Sequence, residues 1–220
     1  MENTEMTLDA ALCEVRKAHR LIYSYQERML SLVHYIQHRL GYSSFEGVKH
    51  FSEDIKRNRQ SGALKIHDDM WAWDFIYSYL FEYFIGGIID DRNRQCLMSV
   101  IQYTDTGYFD SEEEDRTNPE KFAAEENSSS KLLFFLEIVP PKCKSLWDAY
   151  EYTEEYVLNK KYASLKHTNT ILYPKGKGKN AIVLYSVPIS EFADEKSSLE
   201  SIRKFVEFCK KKDLFDFDIQ

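Results

Sequence analysis

At 220 residues, with 43% apolar and 15% aromatic side chains, the chain can build a sizeable core, which excludes a disordered chain. No stretch reaches about 18 uncharged apolar residues and the start is acidic and polar, so neither a membrane span nor a secretory signal is read; the expected compartment is the cytoplasm. The net charge of −7 is local: residues 105–126 hold nine carboxylates against Arg116 and Lys121, and the balanced remainder has no nucleic-acid signature.

Residues 7–40 lack Gly and Pro, and Leu8, Val15, Ile22, Met29 and Ile36 recur every seven residues, with Ala11, Ala18, Tyr25 and Leu32 as companions. That spacing predicts a helix, ended by a left-handed cap at Gly41. Leu12, Leu21, Val33 and Tyr35 flank the seam, making an apolar stripe wider than a bare two-stranded seam. Such a helix spans about 50 Å, against a diameter of roughly 40–45 Å for a globule of this length. It is expected to form one wall of the domain, with part of its length, around Leu8 and Val15, left for another protein or a second copy.

Ser43-Ser44-Phe45-Glu46 resembles a capping box, and Phe45, Val48, Phe51 and Ile55 keep helical spacing. A shorter helix is therefore expected before a loop at 58–62, completing a helical N-terminal part over 7–62. Residues 70–85 read two ways. Aromatic residues at every odd position from Trp71 to Tyr83 give the alternation of a strand. Such a strand would be unusually long, while Asp68 or Asp69 offers an N-cap and Gly86-Gly87 a stop. The preferred reading is a buried helix at the centre of the core.

Residues 96–103 and 131–139 are short runs of β-formers and are expected to be strands. Between them, the acidic segment 104–130 contains Gly107, Pro119 and a serine run and reads as a mobile loop. Ser145-Leu146-Trp147-Asp148 opens a helix running to about residue 161. Residues 168–173 and 181–187 flank a lysine-tipped turn and read as a hairpin. Ser197-Ser198-Leu199-Glu200 caps a final helix with Leu199, Ile202, Val206 and Cys209 on one face. Residues 131–220 thus run strand, helix, hairpin, helix. The whole, 1–220, reads as a single α+β domain: a long amphipathic helix packed with an antiparallel sheet of about four strands and two further helices.

The residues that could carry chemistry each have a plainer reading. Cys13, Cys96, Cys143 and Cys209 form no C-x-x-C pair and are expected to be reduced and structural. His34 and His38 lie one turn apart without a third ligand nearby, so no metal and no cofactor is expected. The Arg28 and His34 spacing resembles the motif of HEPN ribonucleases, but those domains are all-helical and this chain carries strands, so no family is assigned. Glu82 and Glu137 interrupt apolar segments, and a desolvated carboxylate suits acid–base work; a structural partner is the preferred reading. Gly176-Lys177-Gly178-Lys179 lacks the pattern of a phosphate loop.

With no catalytic motif, the leading expectation is a non-enzymatic protein-interaction module: an inhibitor, an immunity-type protein or an accessory subunit. It would engage its partner through the long helix (Leu8, Val15) or the acidic loop (Glu112, Glu113, Glu114), whose carboxylates fit a basic cleft. The alternative is a nucleic-acid or nucleotide-binding protein, with or without catalysis. Residues 156–190 hold Lys160, Lys161, Lys166, Lys175, Lys177 and Lys179 and no Asp or Glu, and lysines interleaved with tyrosines suit single strands.

Overall fold

The computed structural model describes residues 7–50, 80–109, 119–145, 168–174, 179–217 and 219. Helix α1, Leu8–Arg39, starts after Thr7, whose extended backbone turns its side-chain oxygen onto the Ala10 N–H at 3.3 Å, satisfying one orphan donor of the first turn. It ends where the sequence predicts. Gly41 takes φ +76°; its N–H donates to the His38 carbonyl at 3.1 Å, and the Tyr42 N–H donates to the Gln37 carbonyl at 3.0 Å, the two bonds of a Schellman cap.

Past the cap, the expected second helix is replaced by an edge strand. β1, Glu46–Lys49, pairs antiparallel with β2, Leu80–Ile89. Four contacts explain why the apparent capping box loses. The Ser44 N–H donates to the Ile85 carbonyl at 3.1 Å. Phe45 stacks on His34 at 3.9 Å between centroids and lies 5.8 Å from the Tyr83 ring. Gly47 lets the Phe81 ring lie 2.4 Å from where a Cβ would stand.

The helix preferred for residues 70–85 is also corrected over its described part. From Leu80 onward the chain is strand, so the two-residue aromatic alternation, and not the flanking cap signals, reports the structure. Gly86-Gly87 stops no helix. Gly86, at φ +117°, makes a bulge in the middle of β2, and the extra residue returns Ile88 to the face of Tyr83. Residues 70–79 and the helix expected after Ser145 lie outside the described residues.

β3, Gln95–Tyr103, and β4, Lys131–Val139, follow the expected runs, and β5, Thr170–Leu172, pairs with β6, Ala181–Pro188, as the two sides of the expected hairpin. The sheet has six strands in the order β1-β2-β3-β4-β6-β5, each pairing antiparallel. The fold is therefore α+β with two strands more than expected, and the additions are the two segments read as helices. Both edges, β1 and β5, are the shortest strands, which limits exposed backbone.

One face of the sheet carries Tyr83, Met98, Phe134 and Tyr185 and is covered by the C-terminal half of α1 (Met29, Val33, Ile36, Leu40) and by the last helix (Ile202, Phe205, Val206, Cys209). The opposite face, with Leu80, Ile101, Phe135 and Leu184, is buried as well. Burial on both faces is why β3 and β4 read as continuous apolar runs without alternation. A four-residue turn, α2 (Thr106–Phe109), follows β3. The last helix, α3 (Glu195–Lys211), is capped by Asp194, three residues before the expected Ser197. Asp194 accepts the Ser197 N–H at 2.8 Å and Ser197 Oγ accepts the Asp194 N–H at 3.0 Å, so Ser197 is the reciprocal partner of the box.

The acidic segment is closed at its base. The Thr106 N–H donates to the Ser129 carbonyl at 3.1 Å, the Ser129 N–H to Thr106 Oγ1 at 2.9 Å and Ser130 Oγ to the Thr104 carbonyl at 2.6 Å.

Candidate functional site

The seven-residue stripe of α1 is continuous in sequence but meets two environments. From Met29 to Leu40 it is core. From Leu8 to Ser24 no residue is buried: Leu8 is 75%, Leu21 72% and Tyr23 69% exposed, and Leu12, Val15 and Ile22 are also exposed. Only Ala11 and Cys13 are half-buried in that stretch. About 25 Å of helix therefore stands with its apolar side uncovered.

The change of environment is sharp. Gln26 donates to the Tyr83 hydroxyl at 2.7 Å, and Arg28 donates to the carbonyls of Ala193 at 2.6 Å and Phe192 at 3.3 Å. From Leu8 to Ser24, the side-chain bonds of the described residues stay within the helix, as in the Glu14–Lys17 pair at 2.8 Å, and Tyr25 is the first residue of the stripe to pack against the core. Leu8 and Val15 thus lie on the exposed half. More of the helix is uncovered than the expected division allowed, with the whole first half free of the core.

The two buried carboxylates share the sheet face opposite α1. Glu82 Oε1 accepts Ser99 Oγ–H at 2.5 Å, and Oε2 lies 2.8 Å from His50 Nε2. Glu137 accepts from Asn180 Nδ2 at 2.6 Å and from Ser145 Oγ at 2.7 Å; the same Asn180 nitrogen donates to the Lys144 carbonyl at 2.9 Å. Glu82 faces Ile101, Ile101 faces Leu133, and Glu137 lies four residues further along β4. Two strand spacings and four residues put the carboxylates roughly 16 Å apart, beyond the about 5–10 Å used by paired carboxylates acting on one bond. They are two separate buried networks, and both have hydrogen-bond donors, as buried carboxylates require.

The remaining candidates are dispersed. His34 is spent on its stack with Phe45, and Arg28 ties α1 to the turn before α3, so the Arg28 and His34 pair forms no common site. Among the described residues no three His, Cys, Asp or Glu side chains gather in a way that could hold a metal ion. Glu112, Glu113, Glu114, Lys160, Lys161, Lys175 and Lys177 lie outside the described residues, and Lys179 is exposed. Spacing alone does not connect Glu82 with His50, or Glu137 with Ser145 and Asn180; the interruption of an apolar run by Glu137 was the signal available. Among the described residues no helix is long and apolar enough to cross a membrane.

A family model described as PM0109 matches residues 5–214. The chain belongs to the PM0109 family. No curated protein and no solved structure matches it. The family match takes in α1 from its first residue to its last, so the uncovered half of the helix is part of the family domain and no appendage to it.

Proposed function

We propose that the chain is a non-enzymatic protein-interaction module, of the inhibitor, immunity or accessory-subunit kind, which acts in the cytoplasm and engages a protein partner through the first half of α1. The observation that carries this reading is the single apolar stripe that is core from Met29 onward and bare from Leu8 to Ile22. Most helical stability comes from packing an amphipathic face, and an unsupported helix of this length is marginal in water. A contiguous apolar helix face left in water marks an interaction site, and covering it gains about 25 cal/mol per Å². Glu82 and Glu137 serve the sheet through their hydrogen bonds. All four cysteines are free, in keeping with a reducing compartment. The carboxylates of residues 105–126 supply long-range attraction toward a basic partner surface.

Native mass spectrometry of the protein purified from its own cells tests this reading, with the Leu8→Lys, Val15→Lys variant alongside. The wild type is expected in a stoichiometric protein assembly, which the variant loses while keeping the cooperative thermal unfolding of the isolated wild-type chain. A wild type found only as a single chain, or an assembly indifferent to both substitutions, overturns it.

A further inference from the structure

We infer that the partner covering the first half of α1 is a second copy of this chain, laid antiparallel along residues 8–25 about a two-fold axis. The inference rests on the interaction reading above and names its partner.

A two-fold interface must be complementary to itself. In the heptad of α1, Leu8, Val15 and Ile22 occupy the first position and Ala11, Ala18 and Tyr25 the fourth. Antiparallel packing sets first positions of one helix against fourth positions of the other. Centred between Arg16 and Lys17, it places Val15 against Ala18, Ile22 against Ala11 and Leu8 against Tyr25. The inner layers then combine one large and one small side chain, the arrangement that fills an interface evenly. Parallel packing would set Ala11 on Ala11 and Ala18 on Ala18, leaving two thin layers between crowded ones.

The flanks fit the same register. Leu12 of one copy and Leu21 of the other fall at one height on opposite sides of the seam, closing both sides of the Ala11–Ile22 layers. This gives a role to the flanking leucines that widen the stripe. Glu14, paired with Lys17 of its own helix at 2.8 Å, falls on the flank that holds Leu21 of the second copy, so its charge is met within its own helix. The two helix dipoles run opposed. The register uses the whole bare stretch, Leu8 to Ser24, and ends where Tyr25 packs half-buried against its own core, one residue before Gln26 ties the helix to Tyr83.

Sedimentation velocity from about 1 to about 200 μM, in the concentration range of a short helical interface, tests self-association. Cysteine cross-linking in a Cys13→Ser background tests the register. The mass is expected to double with concentration, and Leu8→Lys with Ile22→Lys should raise the dissociation constant about 100-fold or more, with circular dichroism and an unfolding midpoint equal to those of the wild type at dilution, where both are single chains. Ala11→Cys protein should cross-link to Ile22→Cys protein and not to itself. A chain that stays monomeric throughout, a dimer indifferent to the lysines, or Ala11→Cys cross-linked to itself each overturns the inference. A monomer that binds a different protein through Leu8 and Val15 removes self-pairing and keeps the interaction reading; a monomer that binds nothing removes both.

Discussion

Gln26 donates its side-chain N–H to the Tyr83 hydroxyl at 2.7 Å, and that hydroxyl donates in turn to Gln102 Oε1 at 2.8 Å. The chain of bonds runs from α1 through β2 to β3 and marks where the helix passes from solvent onto the sheet. Three residues later Met29 is 1% exposed, while Ile22, four residues earlier, is exposed. The two halves of α1 therefore answer to different free energies. Leu8→Lys and Val15→Lys should each change folding stability by less than about 0.5 kcal/mol, whereas Met29→Ala and Ile36→Ala should each cost about 2–5 kcal/mol. Urea unfolding of the four variants measures the difference. Equal losses at both pairs would refute the division of the helix.

The buried carboxylates make a second prediction. Ser99→Ala removes a donor to Glu82 and should cost about 1–3 kcal/mol. Glu82→Ala leaves both Ser99 and His50 without that acceptor and should cost more than either neighbouring substitution. A double-mutant cycle on Glu82 and His50 should show coupling of about 0.5–3 kcal/mol. If these residues serve the sheet alone, the variants should still form the proposed assembly below their unfolding temperature. Loss of binding in a well-folded Glu82→Gln variant would assign Glu82 a functional role.

Asn180→Asp probes the other network. It sets a second carboxylate where an amide donates to Glu137 at 2.6 Å and to the Lys144 carbonyl at 2.9 Å, so two donor bonds become acceptor contacts in a buried site. Stability should drop sharply at neutral pH and recover in part as the pH falls and the pair takes up a proton, as a pH series of unfolding midpoints would show.

What the sequence made legible was local. The stop at Gly41 and the run of β4 depend on residues close to one another, and both lie where expected. β1 and β2 were misread because their signals are local while their stabilisation is not: Ser44 finds the Ile85 carbonyl and Phe45 finds Tyr83, partners about forty residues away. The site divides in the same way. The exposed half of α1 was foreseeable from helix length against domain diameter, which needs no pairing information. Glu137 stood out by interrupting an apolar run, but its donors follow from the register of β4 on β6, where it faces Ile182 two residues from Asn180. His50 reaches Glu82 only once β1 has paired with β2.

Burial pushes the thiols of Cys96 and Cys209 up to about 12 from an ordinary 9.0, and the Tyr83 hydroxyl up to about 12 from 10.0 against the bond from Gln26. These groups ionise more readily in the unfolded chain. Their contribution to stability is complete below about pH 9 and is lost as the pH rises toward 12, because the unfolded chain then releases protons that the folded chain keeps. Urea midpoints should fall steadily above about pH 9. A thiol reagent at neutral pH should modify the half-buried Cys13 and Cys143 first, and Cys96 and Cys209 only as fast as the chain opens. Rapid modification of all four would contradict the packing of α3 on the sheet.

Gly86 provides the closest test of why β2 is a strand. Its φ of +117° belongs to a region that side chains rarely enter, and a Cβ there would stand 3.1 Å from the Ser44 Cβ and Oγ and 3.3 Å from the Ser44 nitrogen. Gly86→Ala should therefore cost about 1–3 kcal/mol in backbone strain and push Ser44 from the Ile85 carbonyl. The loss should appear locally, as faster amide exchange at Ser44 and along β1 with little change in β4. Gly87→Ala is the control. Its backbone is unstrained, and the added carbon meets the movable end of Leu97 at 2.6 Å, so it should cost less and leave Ser44 protected. If Gly87→Ala were the more damaging change, the side-chain fit of β2 against β3 and not the bulge would be what holds this strand in place.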